Sequence, residues 1–337
     1  MRWAGLFLGL AACAGADIGE PRFAASDCRT VELVDVETGK TVVGAEDLAL
    51  SEDGVLWISA YDRLTDEPGD LYPLTPQRLR GGAMLRAEGT GLQFLPHGVD
   101  VSGHGVAVLV RQGEKTTLTQ VYQTRRFTDE GRRPLWAQGS DFEVHCASND
   151  MISVGGSGKG SKKYITVDSR GCNPSFWTRL RHPEDGYVEE FAFVGSQRVT
   201  DYDRSVILDG LRIANGIAAW ADDIWVAEMR ARRLINLDRE TIDLPGAPDN
   251  LNASSEGIVA ALQPSLWRFG LYRYGHTNRA PTRIVLVDPE TEEIELLYDD
   301  PKGAQLSGAT AAVLTDGGMM VASSVRGEHL LVCEPSP

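Results

Sequence analysis

The stretch GAEDLALSEDGVLWIS, residues 44–59, holds the pattern on which the chain is built. An oxygen-bearing pair, Glu46-Asp47, opens a short apolar strand, a polar turn follows, and Gly54-Val55-Leu56-Trp57-Ile58-Ser59 reads as a second strand. Comparable second strands occupy residues 105–110, 223–227 and 318–322, each after a turn signal. Ahead of these runs stand segments that begin near Glu46, His97, Asn149, Asn215, Asp249 and Gly308, roughly fifty residues apart on average. Helix-period signals are scarce. The chain therefore reads as all-β, a six-bladed β-propeller, although the uneven spacing also allows seven blades or a decorated β-sandwich. The 66 residues from Asn149 to Asn215 leave room for extra loops, and residues 176–182, from Phe176 to His182, could form a lid or short helix over the site.

The blade starts carry a second message. Glu46-Asp47, Asn149-Asp150, Asn215-Gly216 and Asp249-Asn250 each stand just ahead of an apolar run. Residues far apart in sequence meet at the axis of a propeller, where carboxylate and amide oxygens suit a hard cation. Taken singly, each pair has an ordinary explanation, since Asn-Gly and Asp-Asn favour turns and acidic residues cap exposed corners. Taken together, at the first strand of successive blades, they point to a metal. Adjacent acids also suggest two ions, because neighbours in an extended chain point in opposite directions.

The 337 residues show no linker, charge block or compositional shift, so residues 26–337 are expected to form one domain. A formal charge of −15, from 48 acidic and 33 basic residues, opposes phosphate backbones and anionic lipid surfaces. The cluster Arg230, Arg232 and Arg233 is too small to reverse that, so nucleic acid is excluded as a partner. Residues 1–16 have the layout of an export leader, a positive start and an apolar run too short for a membrane span. Ala14-Gly15-Ala16 resembles a cleavage site, Leu10-Ala11-Ala12-Cys13 a lipobox with membrane attachment through a lipid on Cys13, and a retained leader is a third possibility. Removing or lipidating Cys13 turns five cysteines into four, Cys28, Cys146, Cys172 and Cys333, which fits an exported protein that is periplasmic, secreted or lipid-anchored. Cys146 and Cys172 are left as a second bridge or as two buried thiols.

Gly44-Ala45-Glu46-Asp47-Leu48, Pro96-His97-Gly98-Val99, Ser148-Asn149-Asp150, Ala214-Asn215-Gly216-Ile217 and Pro248-Asp249-Asn250 follow the order of the paraoxonase/arylesterase family. The chain resembles that family over nearly its whole mature length, with strong motifs and diverged sequence between them. The resemblance implies a six-bladed propeller with two calcium ions in a central tunnel. Glu46, Asn149, Asn215, Asp249 and Asn250 would hold the upper, catalytic ion, and Asp47, Asp150 and the carbonyl of Val99 the deeper, structural one. Calcium takes six to eight oxygens in flexible geometry, so the upper set leaves room for water and a substrate carbonyl. Cys28 and Cys333-Glu334 look like the family's closing disulfide, which would fasten the two ends where a propeller closes.

The same resemblance implies a calcium-dependent hydrolase of lactones and aryl esters, with phosphotriesters as slow side substrates. Asp249 is the preferred general base, with Glu46 and His97 as alternatives. His97 matches a family histidine assigned to proton transfer or substrate positioning, but its partner histidine is replaced by a residue near Arg111, so a two-histidine relay is not supported. Gln263-Pro264 stands where vertebrate members carry His-Pro at the mouth. Residues 155–163 fail the phosphate-loop pattern, because Ser153 and Gly160 occupy positions that need glycine and Ser/Thr. Neither a serine-hydrolase elbow nor a zinc signature is present. Two rival readings stand: a non-catalytic propeller that binds a ligand or partner, and a gluconolactonase-like or strictosidine-synthase-like member with a different metal set.

Overall fold

Six sheets follow one another from Cys28 to Cys333 in the computed structural model, which describes residues 19–102, 105–124, 135–155, 161–172, 184–194 and 202–335. Strand β1 (Cys28–Asp35) belongs to the last sheet. Blade one is β2 (Ala45–Leu50), β3 (Leu56–Asp62) and β4 (Glu67–Leu74), after which β5 (Met84–Ala87) leaves to pair in parallel with β1. Blade two runs β6 (Pro96–Ser102), β7 (Gly105–Gln112), β8 (Lys115–Thr124), β9 (Leu135–Val144). Blade three runs β10 (Ser148–Val154), β11 (Lys162–Val167), β12 (Gly186–Phe193), β13 (Tyr202–Leu211). Blade four runs β14 (Ala214–Trp220), β15 (Asp223–Glu228), β16 (Arg233–Asn236), β17 (Thr241–Asp243). Blade five is β18 (Ala247–Ser254), β19 (Gly257–Gln263), β20 (Thr282–Val287) and β21 (Ile294–Asp300), with helix α1 (Leu266–Arg273) inserted after β19. Blade six is β22 (Ala309–Leu314), β23 (Met320–Ser324) and β24 (His329–Cys333), completed by β1 and β5. The six-bladed propeller replaces both the seven-bladed and the sandwich alternatives.

The second strand of each blade is a nearly unbroken apolar run because both of its faces are buried. In β3, Leu56, Ile58 and Ala60 pack toward blade six, with Val313 and Val321, whereas Trp57 packs toward blade two with Val106 and Val108. The alternation repeats in β19, where Val259 and Ala261 join blade six while Ile258, Ala260 and Leu262 join blade four. Six of the hydrophobic clusters each fill one interface between neighbouring blades.

Closure depends on the chain ends. β1 pairs antiparallel with β24, and Cys28 lies directly opposite Cys333, to which it is disulfide-bonded. Cys146 and Cys172 form a second disulfide, which settles the choice between bridge and free thiols. Two disulfides belong to an oxidising, non-cytoplasmic environment. Among the described residues no helix is long and apolar enough to cross a membrane. The leader with Cys13, residues 156–160 of the glycine-rich loop and residues 176–182 of the expected lid lie outside the described residues.

The Cys28–Cys333 bridge closes a sequence separation of 305 residues. Its loss in a Cys28→Ser/Cys333→Ser double variant is expected to cost about 2–5 kcal/mol. Denaturant unfolding should show this as a lower midpoint with the slope retained.

Candidate functional site

Each inner strand carries a break in its ladder at the same height. The register against the second strand shifts between Ala45 and Asp47, Pro96 and Val99, Ser148 and Met151, Ala214 and Ile217, Pro248 and Leu251, and Ala309 and Ala311. These are β-bulges, which insert an extra residue and re-aim side chains. The residues inside them are Glu46, His97-Gly98, Asn149-Asp150, Asn215-Gly216, Asp249-Asn250 and Thr310. Both members of each polar pair are buried, including Glu46 and Asp47 on either side of the first shift. Adjacent residues serve different levels: Glu46 faces His97 and Arg63, while Asp47 turns to the Val99 N–H and the axial cavity.

Two glycines allow the bulges to approach one another. A Cβ on Gly98 would lie 2.7 Å from the carbonyl oxygen of Asn149, and one on Gly216 would lie 2.5 Å from that of Asp249. Hydroxyls tie three of the bulges to a neighbouring blade. Ser59 Oγ donates to the carbonyl of His97 at 2.6 Å, Thr310 Oγ1 donates to that of Glu46 at 2.8 Å, and Thr166 Oγ1 donates to that of Asn215. Asn250 Nδ2 also reaches the Glu46 carbonyl, at 3.1 Å.

The upper level of the ring joins Glu46, His97, Asn215, Asp249 and Gln263. Asp249 accepts from Asn215 Nδ2 at 2.8 Å and from Gln263 Nε2 at 3.1 Å, and Gln263 Nε2 also donates to the Ala309 carbonyl at 2.6 Å. Glu46 Oε2 lies 2.5 Å from His97 Nδ1 and is ion-paired with the guanidinium of Arg63, whose Nη2 stands 2.7 Å from the same imidazole nitrogen. His97 Nδ1 can donate to Glu46 or accept from Arg63, but not both. Burial, followed by the charges of nearby arginines, holds His97 well below the usual histidine range, so it is neutral. Burial raises the Asp249 carboxyl to about 6. Asn149 Nδ2 donates to Asp168 at 2.9 Å.

The deeper level is built from Asp47 and Asp150. Asp47 accepts the N–H groups of Leu48 and Val99, both at 2.8 Å, while Asp150 accepts those of Met151 at 2.7 Å and Ile217 at 3.0 Å. Both carboxylates line an axial cavity of about 180 Å³ together with Val99 and Asp100. Burial raises Asp150 to about 8, and burial followed by the charge of Asp150 raises Asp47 well above the usual range. Two backbone donors apiece do not offset the burial of two neighbouring anions.

The donor set fits a hard cation. It combines convergent carboxylates held at high proton affinity with Asn215 Oδ1, a buried oxygen without a hydrogen-bond partner. The structure therefore gathers the predicted Glu46, Asn215 and Asp249 at one level and Asp47, Val99 and Asp150 at the other, turns the Asn250 amide to the Glu46 carbonyl, and sets Asn149 beside Asp168. Sequence reasoning missed Arg63, which follows β3 with no motif around it. It also missed Thr310, which stands two residues after Gly308 at the start of the sixth inner strand.

No family model matches the chain, and no curated protein matches its sequence. Solved structures share its fold. The calcium structure of a Trichoderma reesei carbohydrate-active enzyme of family AA12 superposes with a TM-score of 0.53 at 11% identity, covering 95% of this chain and 100% of that one. A protein assigned as a gluconolactonase gives a TM-score of 0.52 at 12% identity, covering 93% of each chain. At such identities the likeness is one of fold.

Two outcomes follow from this geometry. Gly216→Ala forces Cβ against the blade-five backbone and is expected to destabilise by about 2 kcal/mol or more, measurable as a drop in Tm. The second concerns pH. Asp249 and Asp150 bind their protons more tightly folded than unfolded, so the stability they confer is full below about pH 4 and is lost as pH rises through about 6 and about 8. With a chelator present, Tm should fall from pH 5 to pH 9, the fall should be shallower in Asp150→Asn, and a divalent cation should reverse it.

Proposed function

We propose that the chain is a calcium-dependent hydrolase of lactones and aryl esters. The observation that carries this reading is the ring of oxygen-bearing side chains presented by successive inner-strand bulges. Glu46, Asn149, Asn215, Asp249 and Asn250 would hold one ion, and Asp47, Asp150 and the Val99 carbonyl a second. Bound there, calcium supplies a Lewis acid that polarises a carbonyl and stabilises an oxyanion.

The chain's own residues supply the rest. Asp249 is held in place by two neutral amides, Asn215 and Gln263; its carboxyl stands at about 6 without an ion, and a bound calcium would lower that basicity, so the base role requires it to shift from the ion during water attack. It is the residue suited to take a proton from attacking water. His97 is neutral and fixed through Nδ1, leaving a buried Nε2 without a hydrogen-bond partner to orient a substrate oxygen or proton. The carboxylate of Glu46 is engaged by Arg63 and His97, which suits it to positioning.

That engagement favours a second reading, in which only the deeper level holds an ion and the site is closer to a one-ion, gluconolactonase-like type. Calcium stoichiometry separates the two: two equivalents per chain by titration calorimetry support the first reading, and one supports the second. Asp249→Asn is expected to lower lactone turnover about 100-fold or more, the scale of a lost general base, while His97→Gln keeps a measurable fraction. Full activity in Asp249→Asn would exclude it as the base. Activity and melting temperature unchanged after complete chelation would count against both ions.

A further inference from the structure

The turn between β3 and β4 lies on the surface, yet it sends its first side chain inward. Leu64 is 50% exposed, whereas the side chain of Arg63 beside it is 6% exposed. The Arg63 guanidinium is ion-paired with Glu46, its Nη2 stands 2.7 Å from His97 Nδ1, and the group lies 4.5 Å from the centre of the Tyr61 ring. Its Nε is buried without a hydrogen-bond partner. Among the described residues Glu46 is the one carboxylate ion-paired with it.

An ion at the upper level needs that same carboxylate. A guanidinium and a divalent cation held by one carboxylate where water is excluded repel strongly, and a buried guanidinium, which keeps its charge, requires an anion. The two cations are therefore alternatives at Glu46. The turn gives the arginine a way out, because residues 64–67 are exposed and Asp62 and Asp66 flank it in sequence, so a side chain swung outward exchanges Glu46 for water and nearby carboxylates. The deeper level holds no such competitor, since Asp47 and Asp150 accept from backbone N–H groups.

We propose that Arg63 is a built-in stand-in for the upper ion: its guanidinium holds the cation position at Glu46 in the metal-free chain, and calcium fills the upper level only as Arg63 leaves it. The deeper ion then binds first, and the upper ion binds more weakly because the arginine must be expelled. This rests on the calcium reading of the ring and names a further residue that sets its affinity.

The test uses the purified full chain, stripped with EGTA and dialysed, titrated with calcium by calorimetry beside Arg63→Met, with Arg63→Gln as a second variant. Labelling of Arg63 by phenylglyoxal, mapped by mass spectrometry, follows the side chain itself. The variants should bind the second equivalent of calcium about tenfold or more tightly than the native chain does, with the first equivalent little changed. In the native chain Arg63 should be protected without calcium and labelled about tenfold or more faster once both levels are filled. Labelling is read on the native chain, so it stands even where the variants fail to fold. Two equivalents bound with Arg63 still protected, or equal affinity for the second equivalent in native and variant chains, would overturn the proposal and leave the calcium reading standing. One equivalent in the native chain and two in a variant upholds it, and one equivalent in both overturns it. No calcium taken up by any of the chains would remove the calcium reading itself, and the proposal with it.

Discussion

Six inner strands must converge on one axis, and the bulge in each is what allows them to do so while presenting polar side chains. A regular strand would send alternate residues into the flanking inter-blade clusters, where the second strands already send theirs. The bulge turns an adjacent pair out of that pattern and leaves its carbonyls unmatched by the ladder. Ser59, Thr166 and Thr310 satisfy three of those carbonyls from the neighbouring blade, and Asn250 reaches one of them across the ring. Ring geometry and blade packing are thereby linked, because those bonds cross between blades.

The same convergence concentrates charge. Glu46, Asp47, Asp100, Asp150 and Asp249 reach the axial region, and burial raises the proton affinity of Asp47, Asp100, Asp150 and Asp249. Cations stand at both ends of this column. Arg63 meets Glu46 at one end, and at the other Lys163, largely buried, donates to Ser153 Oγ at 2.7 Å and acts electrostatically on Asp100. Between them Asp47 and Asp150 have only backbone donors. The middle of the column is where a bound cation would gain most, since it would relieve repulsion that the protein itself leaves uncompensated.

The sequence displays what repeats and conceals what does not. Blade count and inner-strand starts were legible because turn signals and apolar runs recur, and the closing bridge because Cys28 and Cys333 flank the repeat. The bulges were hidden, since an extra residue in a ladder shows only against its partner strand. Arg63 was hidden for another reason: it lies just beyond β3 with no motif around it, and only the ring brings it to Glu46 and His97. Gln263 was legible as a residue of the mouth but not as a donor to Asp249, because that contact depends on how far β19 extends past the bulge of β18.

The two acidic residues of the upper level differ in their company, and that difference divides their work. Glu46 faces a permanent cation and a histidine, so its lone pairs are already committed. Asp249 faces two amide groups, whose hydrogen bonds orient the carboxylate without supplying a counter-charge, and burial leaves it the more basic of the roles on offer. A carboxylate held only by neutral hydrogen-bond donors in a water-poor site is suited to exchange a proton, whereas an ion-paired one is suited to hold position. Exchanging the two environments, and not the two side chains, is what would exchange their roles.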